Sequence, residues 1–439
     1  MGTAHVVQQA QFANDLESAL ALCATARTES TNRRANSSFG HWAEFCRELR
    51  VACTLHDVPT QEAKIAYLLV YGMRYRRVGR TDNPTRADTV ITAIAHARKG
   101  ISNLGYGDPG VQAGTNKLHS LLSDFKRAMQ REDSPANRAY PVNLVIIRGM
   151  FQELNVDHED QGPQQQNILD LTVVAFFWLL RPCEFLGTKP EKGETRSSAF
   201  RLCDVHLHHH DGRVYNAADP NAPLNDSRDV ANFTFASLIF DDQKNAVRGE
   251  QVGHRATADP EICPVKALAR LCLHLRIHLD LTPEVDENAP ITPLYYHYNS
   301  YRQDWFRTKS SAVITALRIG ARETSHIHNI DPQLFTTKGL RPGGATALMC
   351  AGVDKDAIML LGRWKSDAML RYLRIQANSY THNYAQKMFN AGDYTFSPQS
   401  DPTKDAPVQA PVRIQQLLNH NEMYDLASDD SSTEEELAC

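Results

Sequence analysis

The chain has 439 residues, 42% of them hydrophobic and 22% charged, and a formal charge of −4. At about 150 residues per domain this length calls for two or three domains, and the composition is that of a globular protein rather than a fibrous or globally disordered one. The longest apolar run, Leu171 to Leu180, is broken by Thr172 and is far shorter than the ~20 residues that cross a bilayer. The N-terminus has no basic stretch leading into an apolar core, so a secretory leader and a membrane partner are not expected and an intracellular location is.

Nine scattered cysteines, with no Cys-x-x-Cys pair, read as free thiols of a reducing compartment. The charge is unevenly spread: from Ser397 onward nine acids face two bases, so the tail carries −7 and the remainder +3. A mildly basic body under an acidic tail is compatible with nucleic acid as a partner without requiring it.

In chain order, apolar spacing predicts a helix over residues 5–26 (Val7, Phe12, Leu16, Leu20) and a second from Ser37 through Trp42, Phe45 and Leu49. Further helices are expected at Thr60–Tyr75, Arg86–Leu104 and Asn116–Gln130. Arg131–Pro141 concentrates charge, Ser, Pro and Asn and reads as a linker. Beyond it, helices are predicted at Asn143–Leu154 and Ile168–Leu180. Short strands follow at Phe200–His208, Arg213–Tyr215 and Phe233–Phe240. Helical patterning resumes at Pro264–His278 and runs with loops to about Met388, and the Pro-, Gln-, Ser- and acid-rich remainder reads as a disordered tail. The domains are therefore expected at 1–135, 136–392 and 393–439.

The polar residues of the second domain fall in an informative order. The apolar helix ends in Leu-Leu-Arg181-Pro-Cys-Glu184, where Glu184 is spaced to orient the Arg181 guanidinium, although taken alone this is an ordinary helix-end pair. Lys244 follows a strand end. Lys338 and Arg341 are spaced i, i+3, so both can face one anion, and Gly343, Gly344 and Ala345 allow close helix packing. Then come Leu361-Gly362-Arg363-Trp364 and, nine residues after Arg363, Tyr372. Two lysines, several arginines and a tyrosine meet what phosphoryl transfer requires: positive charge on the non-bridging oxygens, an acid for the leaving oxygen and an oriented nucleophile, with no metal or other cofactor. The run His206-x-His208-His209-His210 lacks a matching Cys or His set and reads as a solvated hairpin tip rather than a zinc site.

Taken together and in this order, Arg181 with Glu184, Lys244, Lys338-x-x-Arg341, Arg363 after Leu-Gly, and Tyr372 resemble the tyrosine recombinase superfamily. Within it, Gly-Arg-Trp-Lys-Ser-Asp-Ala-Met-Leu-Arg-Tyr-Leu-Arg is most similar to the recombinases of eukaryotic mobile elements, the Crypton and DIRS types. The resemblance implies a mainly α, two-domain clamp: a helical core-binding domain, and a mostly helical catalytic domain with a small antiparallel β-sheet. It implies double-stranded DNA as partner, self-association as a tetramer on DNA, and a nuclear location. By the same resemblance Tyr372 attacks the scissile phosphate, Arg181, Arg341 and Arg363 balance its charge, Lys244 protonates the leaving oxygen, and Glu184 and Trp364 support them. Two positions depart from the pattern. Lys338 stands where most members have His, although the related type IB topoisomerases also use Lys there, and Arg363 replaces His or Trp. A DNA-binding protein that has lost catalysis and a type IB topoisomerase-like relaxing enzyme therefore remain alternatives to a site-specific recombinase.

Overall fold

Trp42, Phe45 and Cys46 fall on one stripe of a helix, and burying that stripe organises the first part of the chain. In the computed structural model the described residues are 15–19, 29–77, 84–112, 114–134, 139–187, 199–240, 249–279, 281, 291–328 and 330–364. They divide into two compact units, one ending at Ser134 and one beginning at Ala139. The first holds α1 (Glu29–Glu48), α2 (Gln61–Arg77), α3 (Ala87–Asn103) and α4 (Ser120–Glu132). Its core joins Trp42, Phe45, Ile65, Leu68, Tyr71, Ile94 and Ile101. Trp42 meets Tyr71 edge-on at 5.2 Å, and its indole N–H donates to the Cys53 carbonyl at 2.7 Å. Asp133 ties the unit's end to its middle: it takes the buried Arg76 guanidinium at 2.9 Å and the Ala87 N–H at 2.8 Å. Helix α1 begins earlier than its apolar periodicity, because its first turns carry no core-facing stripe. The helix expected over residues 5–26 and the tail lie largely outside the described residues, of which 15–19 are helical.

The second unit is built on α6 (Gly162–Phe177), whose residues from Asn167 to Phe176 are all buried. A helix apolar on every side needs cover on every side. That cover comes from α5 (Leu144–Glu153), the short α7 (Pro182–Leu186), α8 (Pro264–His278), α9 (Ser310–Glu323) and α10 (Leu340–Cys350), and α11 (Lys355–Gly362) follows α10. Beside them lies an antiparallel sheet of β1 (Val205–His209), β2 (Val214–Asn216), β3 (Phe233–Phe240) and β4 (Glu250–Arg255), in the order β2-β1-β3-β4. The register pairs Leu207 with Ala236 and Ala236 with His254, so Val205, Leu207, Ala236, Leu238 and Val252 share the buried face. The unit is mainly α with a small antiparallel sheet.

Four local expectations are corrected. The strand expected from Phe200 begins only at Val205, because Asp204 takes the Arg201 N–H at 2.8 Å and closes a 3-10 turn first. Strand β4 was not foreseen: Val252 is its single strongly apolar residue, and its pairing with β3 rather than its pattern makes it a strand. A hairpin of β5 (Tyr296–Asn299) and β6 (Asp304–Arg307) interrupts the stretch expected to be helical, and Asp160 anchors it by accepting from Arg302 Nε and Nη2, each at 2.6 Å. His206 and His208 lie within β1, between its partners β2 and β3, rather than at a hairpin tip. Among the described residues no three or more His, Cys, Asp or Glu side chains are grouped to hold a metal ion.

Three histidines of this unit are held neutral. Burial pushes His254, packed edge-on against Trp178 at 4.7 Å, down to about 4. Burial, aided by nearby His278 and His297, does the same to His274, whose Nε2 accepts from the Tyr298 N–H, and burial alone takes His297 to about 4. Their unfolded values are near 6.5, so the unfolded chain binds more protons at mildly acid pH. The stability they confer is complete above about pH 6.5 and is lost as pH falls towards 4. The unfolding midpoint, followed by circular dichroism, is expected to drop by roughly 5 °C or more between pH 7 and pH 5.

Candidate active site

The end of α6 delivers the first arginine. The last helical bond runs from the Trp178 N–H to the Val174 carbonyl at 3.0 Å, and Leu179, fully buried, takes a left-handed conformation with φ 51°. That turn, which a β-unbranched side chain tolerates only at a cost of about 1–2 kcal/mol, reverses the chain so that Leu180 and Arg181 leave it. Trp178 braces it by donating its indole N–H to the Val252 carbonyl at 2.9 Å. Arg181 then caps α7. Glu184 Oε2 accepts from the Arg181 N–H at 2.7 Å, and Glu184 Oε1 takes Arg181 Nη1 at 3.1 Å.

The second arginine comes from the first turn of α10. Gly344 lets that helix approach closely, since a Cβ there would lie 2.3 Å from the Phe176 carbonyl oxygen. Arg341 Nη2 donates to the Gly362 carbonyl at 2.6 Å, and its guanidinium lies 4.4 Å from the Trp364 ring centre. Lys338 sits in the 3-10 turn ahead of α10 and is exposed. The i, i+3 spacing thus places one cation inside and the other at the surface.

The third arginine ends α11. Arg363 is left-handed, with φ 58°. Its Nη1 faces the carbonyls of Trp178 (3.1 Å) and Leu361 (3.2 Å), and its Nη2 faces the Leu179 carbonyl (3.3 Å) and Glu184 Oε2 (3.1 Å). The Phe240 ring centre lies 3.7 Å from the guanidinium carbon.

Arg181, Arg341 and Arg363 are only 3%, 4% and 5% exposed, and one buried carboxylate, Glu184, sits among them. Burial opposes ionisation of Glu184, yet the charges of Arg363, Arg181 and Arg341 and the Arg181 N–H hold its carboxyl below the usual range. Glu250 adds a weaker negative influence on Arg363. Among the described residues, three guanidiniums are thus gathered out of water around one buried carboxylate. Guanidiniums match the planar, two-point hydrogen bonding of a phosphate or carboxylate.

No family model matches the chain. Over 142 residues it is 28% identical to the integrase/recombinase xerD homolog of Selenomonas ruminantium. In sequence, this chain is similar to an integrase/recombinase. The match covers 32% of this chain and 37% of that protein, so it spans little more than a third of the relative. Two solved structures of the Tn1549 transposon integrase are also similar, each at 11% identity. One, in complex with circular intermediate DNA, has a TM-score of 0.37 over 79% of this chain and 98% of that one. The other, a tyrosine-to-phenylalanine form in complex with transposon right end DNA, has 0.35 over 81% and 99%.

Of the residues singled out in the sequence, the fold gathers Arg181, Glu184, Arg341, Arg363 and Trp364, leaves Lys338 exposed near them in sequence, and Lys244 and Tyr372 lie outside the described residues. Two contributors were not singled out. Phe240 has no sequence signal beyond ending a strand. Gly362 was visible only as the Gly of Leu-Gly-Arg, yet a Cβ at this position would lie 1.8 Å from the Trp364 ring. Gly362→Ala is therefore expected to displace that ring from Arg341 and cost about 1–3 kcal/mol, read by denaturant unfolding.

Proposed function

We propose that this chain is a tyrosine recombinase that cleaves and rejoins duplex DNA through a 3′-phosphotyrosyl intermediate. The observation that carries the reading is the gathering of Arg181, Arg341 and Arg363, far apart in the chain, around Glu184 in one buried cluster. The segments bearing the other two groups depart from that cluster: Lys244 is four residues beyond Phe240, and Tyr372 eight beyond Trp364. At up to ~3.5 Å per residue these tethers span at most about 14 and 28 Å, so both side chains are within reach of an anion held there.

In this reaction Tyr372 Oη passes its proton to water and bonds to phosphorus, the P–O5′ bond breaks, and Lys244 gives its proton to the leaving 5′ oxygen, to be reprotonated from water. Arg181 and Arg341 carry the charge that builds on the non-bridging oxygens, and Lys338 adds to it from the rim. A 5′-hydroxyl of a second strand then attacks the phosphotyrosine and releases the enzyme. One phosphodiester replaces another of similar energy, so the exchange requires neither nucleotide hydrolysis nor a redox cofactor. Strand exchange between two duplexes calls for a tetramer of this chain on DNA. The segment Gly362 to Arg374 resembles the recombinases of eukaryotic mobile elements, the Crypton and DIRS types, and that resemblance supports action in a nucleus.

The test uses duplexes that the protein itself retains from a random-sequence pool, nicked within the bound region so that the freed fragment diffuses away. A protein–DNA adduct surviving a denaturing gel is the expected result. Tight binding with no adduct would instead mark a DNA-binding protein without catalysis, and relaxation of a supercoiled plasmid without strand exchange would mark a topoisomerase.

A further inference from the structure

We propose that Arg363 is a positioning residue, a strut that fixes Glu184 and the chain turn carrying Arg181, and not one of the guanidiniums that touch the phosphate. The proposal rests on the recombinase reading and assigns the position where that family's pattern has a phosphate ligand to a different task. The two terminal nitrogens of Arg363 carry four N–H groups, and four protein acceptors face them: the carbonyls of Trp178, Leu179 and Leu361, and Glu184 Oε2. One face of the guanidinium is closed by Phe240 at 3.7 Å.

Those acceptors are not scattered. Trp178 and Leu179 form the left-handed turn that delivers Arg181, and Glu184 is the carboxylate that holds the Arg181 side chain and N–H. Arg363 thus takes hold of the first arginine from both ends of its support. The residues on either side of it hold the second: Gly362 accepts from Arg341 and Trp364 stacks beneath it. The turn 362–364 therefore sets Arg181 and Arg341 in register with each other, although 160 positions separate them in the chain. The left-handed backbone at Arg363 points the same way. A glycine would adopt φ 58° without strain, so the arginine is present for its side chain despite a cost of about 1–2 kcal/mol.

The experiment follows single-turnover strand cleavage at saturating protein, below the unfolding midpoint of each variant, on matched nicked duplexes. One duplex has an ordinary phosphodiester and the other a neutral methylphosphonate at the cleaved position. Arg363→Gly keeps the backbone conformation and removes the strut, Arg363→Lys keeps a charge that cannot span the four acceptors, and Arg341→Ala is the phosphate-ligand control. Expected for Arg363→Gly is a rate constant about 100-fold lower on both duplexes, since a misplaced group costs the same whether or not the substrate is charged. Duplex affinity, measured by gel shift, stays within about threefold, which separates misplacement from simple unfolding. For Arg341→Ala the deficit shrinks on the methylphosphonate, which lacks the charge that arginine balances. Should the methylphosphonate shrink the Arg363→Gly deficit as well, Arg363 is a phosphate ligand and the proposal fails. Cleavage by Arg363→Gly at the wild-type rate also overturns it. If that variant does not fold, Arg363→Lys is read by the same criteria. Absence of wild-type cleavage on the phosphodiester sinks the recombinase reading itself, and the strut with it, whereas wild-type cleavage with either contrary result for the Arg363 variants sinks the strut alone.

Discussion

Tyr372→Phe is expected to abolish the covalent protein–DNA adduct while leaving duplex binding within a few-fold of wild type. The substitution removes one hydroxyl and keeps the ring, so a contact surface that owes its affinity to backbone phosphates loses almost nothing. Chemistry has no such reserve in the proposed reaction, where the phenolic oxygen is the atom that becomes bonded to phosphorus. The loss should exceed a thousandfold, the order seen when a nucleophile is removed and only binding and charge stabilisation remain. Wild type and variant are compared on the same nicked duplex, by denaturing gel for the adduct and native gel for binding. A persistent adduct in the variant would assign the nucleophile elsewhere, with Tyr380 and Tyr384 the neighbouring candidates in the sequence.

The second large effect concerns the centre of the cluster. Glu184→Gln preserves size and can still accept the Arg181 N–H, but it removes the one carboxylate that, among the described residues, is buried with Arg181, Arg341 and Arg363. Breaking a buried ion pair by deleting one partner costs about 3–5 kcal/mol, because the remaining charge stays out of water without its counter-ion. The guanidiniums of Arg181 and Arg363 pair directly with this carboxylate and the charge of Arg341 acts on it, so the upper end of that range is expected, with an unfolding midpoint lower by roughly 10 °C. Thermal unfolding of the two proteins at pH 7 reads it directly. An unchanged midpoint would mean that the cluster is neutralised by some other group, and the argument for an anion site would lose its basis. Arg181→Met, by contrast, leaves Glu184 paired with Arg363 and should destabilise less than Glu184→Gln does.

The two departures from the recombinase pattern now have different meanings. Lys338 is exposed at the start of α10 while Arg341, three residues on, is buried, so the two cations divide between rim and interior. Arg363 is engaged by protein acceptors. A tryptophan in its place could offer one N–H and a histidine at most two, too few to meet the four acceptors that tie the end of α6 to Glu184. The substitution is thus read as a change of task within the site, and neither departure requires that catalysis has been lost.

Much of the fold was legible in the residues themselves. The stripe of Trp42, Phe45 and Cys46, the apolar run of α6, broken by few polar residues, and the Pro264 start of α8 declare helices because their patterns are local and strong. The candidate cluster was legible only as an order of residue types, Arg181 with Glu184, then Arg341, then Arg363 and Trp364. Strand β4 and the β5–β6 hairpin were hidden for a shared reason: their hydrogen-bond partners lie on other strands, and their anchors, such as Asp160 for Arg302, are distant in sequence. The sequence by itself determined which charges were available and that an acid stood beside the first arginine. Only the tertiary structure decided which of them share one buried space, that Lys338 is outside it, and that Arg363 faces carbonyls at the end of α6 rather than open space. The physical reason is that a guanidinium's role depends on which acceptors lie within about 3 Å of its nitrogens, and those acceptors are backbone carbonyls that no residue name reveals.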